Sequence, residues 1–133
     1  YQSEKSDDIN GNPRVSMLFF WPGLQRQIRI QGFVTKISSE ESDRYFNSRP
    51  RSSQLGAWAS DQSRPLESRE TLEQKIADLE KRFPENIDRP EFWGGYGVAP
   101  FKFEFWQGRP SRLHDRIVFE KEENLWVSHR INP

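Results

Sequence analysis

The sequence predicts a mainly β protein, a small antiparallel barrel or sandwich with short helices inserted between its hairpins. Two observations support this fold class. Apolar runs with strand character outnumber helical patterns, and turn signals separate those runs. The length of 133 residues corresponds to about one domain. We therefore expect a single domain over residues 1–133.

The first elements read as a β-hairpin. Residues 1–13 are polar and end in the turn signal Asn12-Pro13. Residues 15–21 form a continuous apolar run that favours a buried strand, and Pro22-Gly23 follows as a turn. Residues 24–37 then alternate between polar and apolar side chains, as a half-buried strand does.

Three helices are predicted in the middle of the chain. Ser38 with Glu41 forms a capping-box pattern, and the helix that it starts stops before Arg49-Pro50. A second short helix begins near Ser52 or Ser53. The third starts near Ser68 and ends at Pro84. Its apolar stripe consists of Leu72, Ile76, Leu79 and Phe83.

The C-terminal part predicts strands at residues 93–98, 101–106, 116–121 and 125–131, the last two joined by an acidic turn. In the second of these, the odd positions carry phenylalanine on one face, and Lys102, Glu104 and Trp106 share the other face. The segment WGGYG at residues 93–97 indicates close backbone packing at a strand start.

Composition excludes several kinds of site. The chain has no cysteine and only two histidines, which excludes disulfides and a thiol nucleophile and argues against a metal centre. Twenty basic and twenty acidic residues balance, so binding to nucleic acid or to a membrane surface is not expected. With no signal-peptide pattern, we expect a cytoplasmic protein. The apolar share of 33% is low, which suggests that part of the core or a partner surface lies outside this chain.

Two polar clusters and one polar pair interrupt the fold-forming pattern. Residues 45–54 combine a phenol, guanidinium groups and hydroxyls near a helix start, and this combination suits the binding of a phosphate monoester. A capped turn with solvated arginines is the simpler interpretation, and composition alone favours it. Gln62-Ser63 reads as loop. Arg112, His114 and Arg116 would share one face if a strand starts by Arg112. That face could bind an anion or pair with carboxylates such as Glu104 and Asp115. These residues indicate a phosphate-bearing ligand at most and do not identify a reaction.

Four segments, taken in order, carry a more specific signal: RYFNSRPRSSQLGAWASDQS, FWGG, EFWQGRPSRLHDR and the terminal R-x-x-P. From about Ser3 to the last residue, the chain resembles the pyridoxine/pyridoxamine 5′-phosphate oxidase family. The resemblance implies an FMN-binding split β-barrel and a homodimer with its flavin sites at the subunit interface. It also implies that pyridoxamine or pyridoxine 5′-phosphate is oxidised to pyridoxal 5′-phosphate, with hydride passing from C4′ to flavin N5 and dioxygen reduced to peroxide.

The resemblance also implies roles for individual residues. Tyr45, Arg49 and Ser53 would bind the substrate phosphate. Arg112 and His114 would come from the other subunit, lie over the pyridine ring and act as the catalytic pair through orientation and charge stabilisation. The implied flavin contacts are Lys5, Gln27, Gln62, Ser63, Trp106 and Arg116.

The chain departs from the family pattern in two places. Glu4 stands where many members have a basic residue, so that phosphate contact is expected to be lost or replaced. An N-terminal segment that supplies an early strand and phosphate contacts precedes the matched region in the family, and we expect a chain starting at Tyr1 to bind FMN weakly and to expose a sheet edge. Two alternatives stay open: a related split-barrel flavin oxidoreductase with another substrate, or a non-catalytic module that binds FMN or pyridoxal phosphate.

Overall fold

The computed structural model describes all 133 residues, which fold into two compact units. The helical unit comprises Tyr1–Gly11 and Lys36–Gly97, and the sheet unit comprises Asn12–Thr35 and Val98–Pro133. The helices are α1 Glu4–Gly11, α2 Ser39–Ser48, α3 Arg51–Ala59 and α4 Arg69–Arg82. The strands are β1 Arg14–Trp21, β2 Arg26–Lys36, β3 Tyr96–Gln107, β4 Asp115–Glu122 and β5 Leu125–Arg130. None of the helices combines the length and apolar character needed to cross a membrane.

The helix starts follow local capping chemistry. The Ser38 hydroxyl accepts the N–H of Glu41 at 3.1 Å, which confirms the predicted start of α2. The Ser68 hydroxyl accepts the N–H of Thr71 at 3.2 Å and starts α4 in the same way. Helix α3 begins at Arg51, one to two residues before the predicted start, directly after Pro50. Its first turn has no side-chain cap.

The polar N-terminal segment contains helix α1, which the sequence did not predict. Ser6 is the only buried residue of this helix, so the sequence has no apolar periodicity from which the helix could be predicted. The turn is nucleated by Ser3, whose carbonyl accepts the N–H groups of Ser6 and Asp7 at 2.8 and 3.0 Å. The two serine hydroxyls also lie 3.1 Å apart and form a buried hydrogen bond.

The five strands form one antiparallel sheet in the order β1-β2-β3-β4-β5. The β1–β2 hairpin runs in register from Arg14 opposite Phe33 to Trp21 opposite Arg26, which confirms the predicted hairpin. The prediction that its first strand is buried was wrong, because β1 lies at the edge of the sheet and its residues from Met17 to Trp21 are 37–60% exposed. The predicted separation of residues 93–98 from 101–106 was wrong. A single strand, β3, passes through Pro100, which has no N–H to donate but lies outside the paired stretch of β3 and β4 that begins at Lys102.

Strand β4 begins after Arg112 and His114. It starts at Asp115, and the preceding residues form a tight turn in which the N–H of Leu113 donates to the carbonyl of Pro110 at 3.2 Å. Ser111 and Arg112 both have left-handed backbone angles, with φ of 58° and 61°. Arg112 and His114 therefore precede the strand, so the condition under which they would share a strand face with Arg116 is not met.

Each unit has its own buried centre. Phe46, Leu55 and Ile87 form the core of the helical unit. In the sheet unit the fully buried side chain is Val118. The two edge strands keep large apolar side chains exposed, including Leu18 at 60% on β1 and Leu125 at 74% on β5.

The glycines of the WGGYG segment pack closely, as predicted. A Cβ atom on Gly95 would lie 2.8 Å from Ile37 Cδ1, and the Gly95 carbonyl accepts the N–H of Ile37 at 3.1 Å. A Cβ atom on Gly94 would collide with the hydroxyl of Tyr1. Both contacts bring the segment before β3 against its neighbours within the helical unit.

Candidate functional site

The helical unit contains a polar cavity of about 430 Å³ between the start of α3 and the loop before β3. Arg49, Ser53, Gln62 and Trp93 are among the residues that line it. The structure thus brings together two residues predicted to bind the substrate phosphate and one predicted to contact the flavin. Tyr45, the third predicted phosphate ligand, is 63% exposed and stacks on Trp93, with the ring centroids 6.0 Å apart.

Arg49 is the distinctive cation of this cavity. It caps the C-terminus of α2, where its N–H donates to the Phe46 carbonyl at 3.1 Å. Its guanidinium carbon lies 5.0 Å from the centroid of the Trp93 ring, and its buried Nη1 has no protein acceptor. A buried charged donor without a partner is unfavourable, so an anionic ligand oxygen would complete its bonding.

Arg51 lies only two residues further on but has a different role. Its Nη1 donates to the carbonyl of Glu85 at 2.7 Å, and its Nη2 donates to the carbonyl of Phe83. Arg51 thereby satisfies backbone acceptors beyond the C-terminus of α4. The sequence placed two guanidinium groups in this cluster, and the structure leaves Arg49 as the one with unused donor capacity at the cavity.

The remaining predicted flavin contacts of the helical unit lie apart from this cavity. Ser63 lines a separate depression with Arg64 and Lys75, and its φ is 65°. Lys5 is exposed on α1. Of the predicted pair, only Gln62 therefore reaches the cavity that Arg49 lines.

The sheet unit contains an apolar cavity of about 450 Å³. Gln27 and Trp106, both predicted flavin contacts, line it together with the apolar side chains of Trp21, Ile28 and Phe105. A largely apolar space bordered by the polar side chains of Gln27, Arg26 and Asp115 suits an aromatic ring system with a polar edge. The structure places Gln27 and Trp106 at the same cavity within one chain.

His114 is fixed at the end of the turn before β4. Its Nδ1 accepts the backbone N–H of Arg109 at 3.1 Å, so Nε2 carries the ring hydrogen and is the available donor. Its ring lies 4.8 Å from the Trp106 ring. Arg112 is exposed, and its left-handed backbone is a sparsely populated conformation for a residue other than glycine, of the kind often retained at functional positions.

Arg116 is held by a buried carboxylate. Its Nε and Nη2 both lie 2.8 Å from Glu104 Oε1, and the Glu104 side chain is only 7% exposed. Its Nη1 donates to the carbonyl of Asn132 at 3.0 Å. Arg29 approaches the same carboxylate at 3.9 Å. The alternative interpretation of this cluster, pairing with Glu104, is therefore correct for Arg116.

Asp115 is the second carboxylate of this region. Arg109 Nε donates to it at 2.7 Å and Arg130 Nη1 at 3.2 Å. The hydrogen bond from Arg109, reinforced by Arg130, holds the pKa of Asp115 below its usual value. Arg109 thus fixes both His114, through its backbone, and Asp115, through its side chain.

The sequence named Glu104 as a possible partner of the basic cluster but assigned no role to Trp93 or Arg109. Trp93 lies in the FWGG segment that contributes to the family resemblance, but the sequence does not show which side chains it contacts. The roles of Arg109 and Glu104 depend on which atoms they meet, and alternation along a strand shows only that Glu104 shares a face with its neighbours.

Two family models match the chain. The model described as pyridoxamine 5′-phosphate oxidase matches residues 1–83, and the model described as pyridoxine 5′-phosphate oxidase C-terminal dimerisation region matches residues 93–133. Together they span nearly the whole sequence.

Curated relatives are similar over the full chain. The proteins named pyridoxine/pyridoxamine 5′-phosphate oxidase from Rhodopirellula baltica and Rubrobacter xylanophilus are each 54% identical to it, and that from Leptospira biflexa is 55% identical. Each alignment covers 100% of this chain. The chain spans 62–63% of the length of these relatives.

Solved structures share the fold. PhzG from Burkholderia lata, determined in complex with tetrahydrophenazine-1-carboxylic acid, superposes with a TM-score of 0.89 at 29% identity, covering 99% of this chain and 65% of that one. A pyridoxamine 5′-phosphate oxidase-related, FMN binding protein from Nostoc punctiforme gives 0.69 at 19% identity, covering 99% and 69%. These likenesses confirm the predicted fold class, an antiparallel split β-barrel with inserted helices. The matching family models and the relatives above 50% identity show that this chain belongs to the pyridoxamine 5′-phosphate oxidase family.

Proposed function

We propose that this protein is an FMN-dependent oxidase that converts pyridoxamine 5′-phosphate or pyridoxine 5′-phosphate to pyridoxal 5′-phosphate, with dioxygen as the electron acceptor. The observation that carries the proposal is the buried, unpartnered Nη1 of Arg49 in a polar cavity that Ser53 also lines. Both residues lie at positions that the family resemblance assigns to the substrate phosphate. The names of the relatives support the same substrate class.

The phosphate would be bound by groups of complementary charge. Arg49 offers a guanidinium with unused donors, and Ser53 offers a hydroxyl from the first turn of α3, a helix whose start has no side-chain cap. The N-terminal end of a helix also carries a partial positive charge, which favours an anion there. Tyr45, whose ring stacks on Trp93, would add a hydrogen bond from its phenol hydroxyl.

The residues of the sheet unit fit FMN as the cofactor. The apolar cavity with Gln27 at its border suits the isoalloxazine ring, and Trp106 would pack beside it. The Arg116 guanidinium, oriented by Glu104, would supply positive charge. When bound, FMN supplies the hydride acceptor and the reaction with dioxygen.

Arg112 and His114 would orient the substrate ring. His114 presents Nε2–H as a donor because its Nδ1 is occupied, and Arg112 has no protein partner for its guanidinium. Both groups would hold the ring by hydrogen bonds and orient its C4′ atom for hydride transfer, rather than remove a proton. The resemblance assigns them to the neighbouring subunit, and the matched dimerisation region supports a homodimer. A cytoplasmic location remains a prediction from the sequence.

The test compares ligands with and without the phosphate. The purified protein is titrated with pyridoxal 5′-phosphate and with pyridoxal, and the FMN-loaded protein is assayed for peroxide formed from pyridoxamine 5′-phosphate. Arg49→Gln is expected to weaken binding of pyridoxal 5′-phosphate about 10- to 100-fold, since charge-assisted hydrogen bonds are lost. Pyridoxal binding should stay unchanged.

Arg44→Gln is the matched control, since Arg44 is an exposed arginine on the same helix. It should leave both affinities as they are. Equal affinity of the wild-type protein for the two ligands, or no peroxide from either vitamer phosphate, would contradict the proposed function.

The alternative with another substrate has one observation in its favour. PhzG, 29% identical to this chain, was solved with a tricyclic carboxylic acid bound. A carboxylate could also pair with Arg49. Oxidation of a reduced phenazine carboxylic acid in preference to the vitamer phosphates would identify this alternative.

A further inference from the structure

Trp93 lies at the centre of contacts made by one face of α2. Its ring stacks on Tyr45 and meets Phe46 edge-on, with centroid distances of 6.0 and 5.2 Å. The Arg49 guanidinium lies over the same ring at 5.0 Å. Tyr45 lies in the last turn of α2 and Arg49 is its C-cap, and both side chains contact the same indole.

The backbone of Trp93 is fixed by a second arginine. Arg89 Nη1 donates to the Trp93 carbonyl at 2.6 Å, while Arg89 Nε donates to Asp43 Oδ1, also at 2.6 Å. The Arg89 side chain is only 12% exposed. The N–H of Trp93 donates to the Pro90 carbonyl at 2.9 Å. Helix α2 therefore holds this loop through Asp43, and the loop in turn presents the indole to α2.

The ring constrains Arg49 without using its donors. A guanidinium that lies on an aromatic face keeps its N–H groups in the plane of the cation, free for other acceptors. Here the buried Nη1 has no protein acceptor and the cavity lies beside it. A long, flexible side chain would otherwise have many orientations to lose when a ligand binds.

We propose that Trp93 is a positioning residue for the phosphate site: its indole, anchored by the Arg89–Asp43 ion pair, orients Arg49 and Tyr45 towards the anion. The inference rests on the proposed function, because it names what holds the phosphate-binding side chains in place. It predicts that affinity for the phosphate group depends on a side chain that forms no hydrogen bond with it.

The experiment measures dissociation constants for pyridoxal 5′-phosphate and pyridoxal in three variants, at a temperature at which each gives a native near-ultraviolet spectrum. Trp93→Leu removes the aromatic surface and should weaken binding of the phosphorylated ligand about tenfold, as expected for loss of a cation–π contact and of orientation. Trp93→Phe keeps a ring and should lose less than threefold. Asp43→Asn loosens the anchor at an exposed position and should lose about two- to threefold.

The matched control is Trp58→Leu. Trp58 is also a tryptophan of the helical unit, but the cation over its ring is Arg82, at 5.2 Å. This variant should lower the unfolding temperature and leave the dissociation constant of pyridoxal 5′-phosphate unchanged. In the FMN-loaded protein, Trp93→Leu should raise KM and leave kcat unchanged, since the indole acts on binding.

The outcomes separate the two proposals. If the wild-type protein prefers pyridoxal 5′-phosphate to pyridoxal and Trp93→Leu binds it as tightly as the wild type, the positioning role is wrong and the proposed function stands. Should Trp93→Leu fail to fold, unchanged affinity in both Trp93→Phe and Asp43→Asn would overturn the positioning role. A wild-type protein without preference for the phosphorylated ligand would overturn the proposed function itself.

Discussion

At the scale of single residues, neighbours in sequence take unrelated roles because distant atoms decide them. Arg51 donates to the carbonyls of Glu85 and Phe83, whereas Arg49 lies on Trp93 with a donor unused. The sequence supports a cationic, hydroxyl-bearing cluster at a helix start. It does not show which arginine is free, because the competing acceptors lie more than 30 residues further along the chain.

Asp115 is a residue whose titration reports its surroundings. Hydrogen bonds from Arg109, and more weakly from Arg130, lower its pKa. A carboxyl whose pKa is lower in the folded than in the unfolded state stabilises the fold above its unfolded value, about 3.9. That contribution is lost as the pH falls through the pKa of the folded state.

Arg109→Gln is therefore expected to raise the pKa of Asp115 towards its ordinary value and to shift acid unfolding to higher pH. Carboxyl chemical shifts followed by NMR during a pH titration measure this directly. Lys121→Gln removes an exposed positive charge from the same strand and should leave the titration of Asp115 unchanged. An identical Asp115 pKa in Arg109→Gln and wild type would show that the hydrogen bond does not set it.

At the scale of elements, features that depend on residues close in sequence could be predicted, and features that depend on distant residues could not. The cap of Ser38 and the β1–β2 hairpin depend on residues close in sequence, and both were predicted. Helix α1 buries only Ser6, so it lacks the apolar spacing on which helix prediction depends. Pro100 suggested a break in β3 because proline has no N–H group to donate. A strand accommodates proline where that position is unpaired, and the sequence does not show which positions of the strand are paired.

Gly32 in β2 lies close to the backbone of β3. A Cβ atom there would lie 2.6 Å from the carbonyl oxygen of Ala99 and 2.6 Å from Val98 Cγ1. A backbone oxygen cannot move aside without shifting β3. Gly32→Ala should therefore lower the free energy of unfolding by about 1–3 kcal/mol, the usual effect of overpacking.

Urea unfolding followed by circular dichroism checks this value. Gly23→Ala is the control, because nothing lies within 4 Å of a Cβ atom at that position. Its unfolding midpoint should be unchanged or slightly raised, since alanine restricts the unfolded chain. Equal midpoints for both variants would mean that β2 and β3 adjust to the added methyl group at no cost.

At the scale of the whole molecule, the low apolar share of the sequence predicted a partner surface, and the structure exposes large apolar side chains. The apolar share is 33%, yet large side chains on β1 and β5 remain accessible. Buried area is therefore left to be gained by association. The dimerisation region of the family model covers β3, β4 and β5. We accordingly expect self-association through the sheet unit.

Trp126→Glu tests this expectation. Phe103, Phe105, Phe119 and Trp126 line an open apolar depression of about 340 Å³. A carboxylate on this surface should shift sedimentation towards the monomer, because the charge would have to be desolvated on association. Leu66→Glu, at a 52% exposed residue of the helical unit, should not change it. A Trp126→Glu variant that sediments like the wild type would place the interface elsewhere.

The discontinuous make-up of the sheet unit has a consequence for synthesis on the ribosome. The β1–β2 hairpin is made first, yet its neighbour β3 begins about 60 residues later. At translation rates of about 5–20 residues per second, roughly 3–12 s pass before β3 exists to cover β2. During that interval both outer edges of the hairpin lack a neighbouring strand, and its first strand carries the exposed side chains of Leu18, Phe19 and Phe20. Nascent chains paused between α2 and α4 should therefore be the ones that most need a holding chaperone.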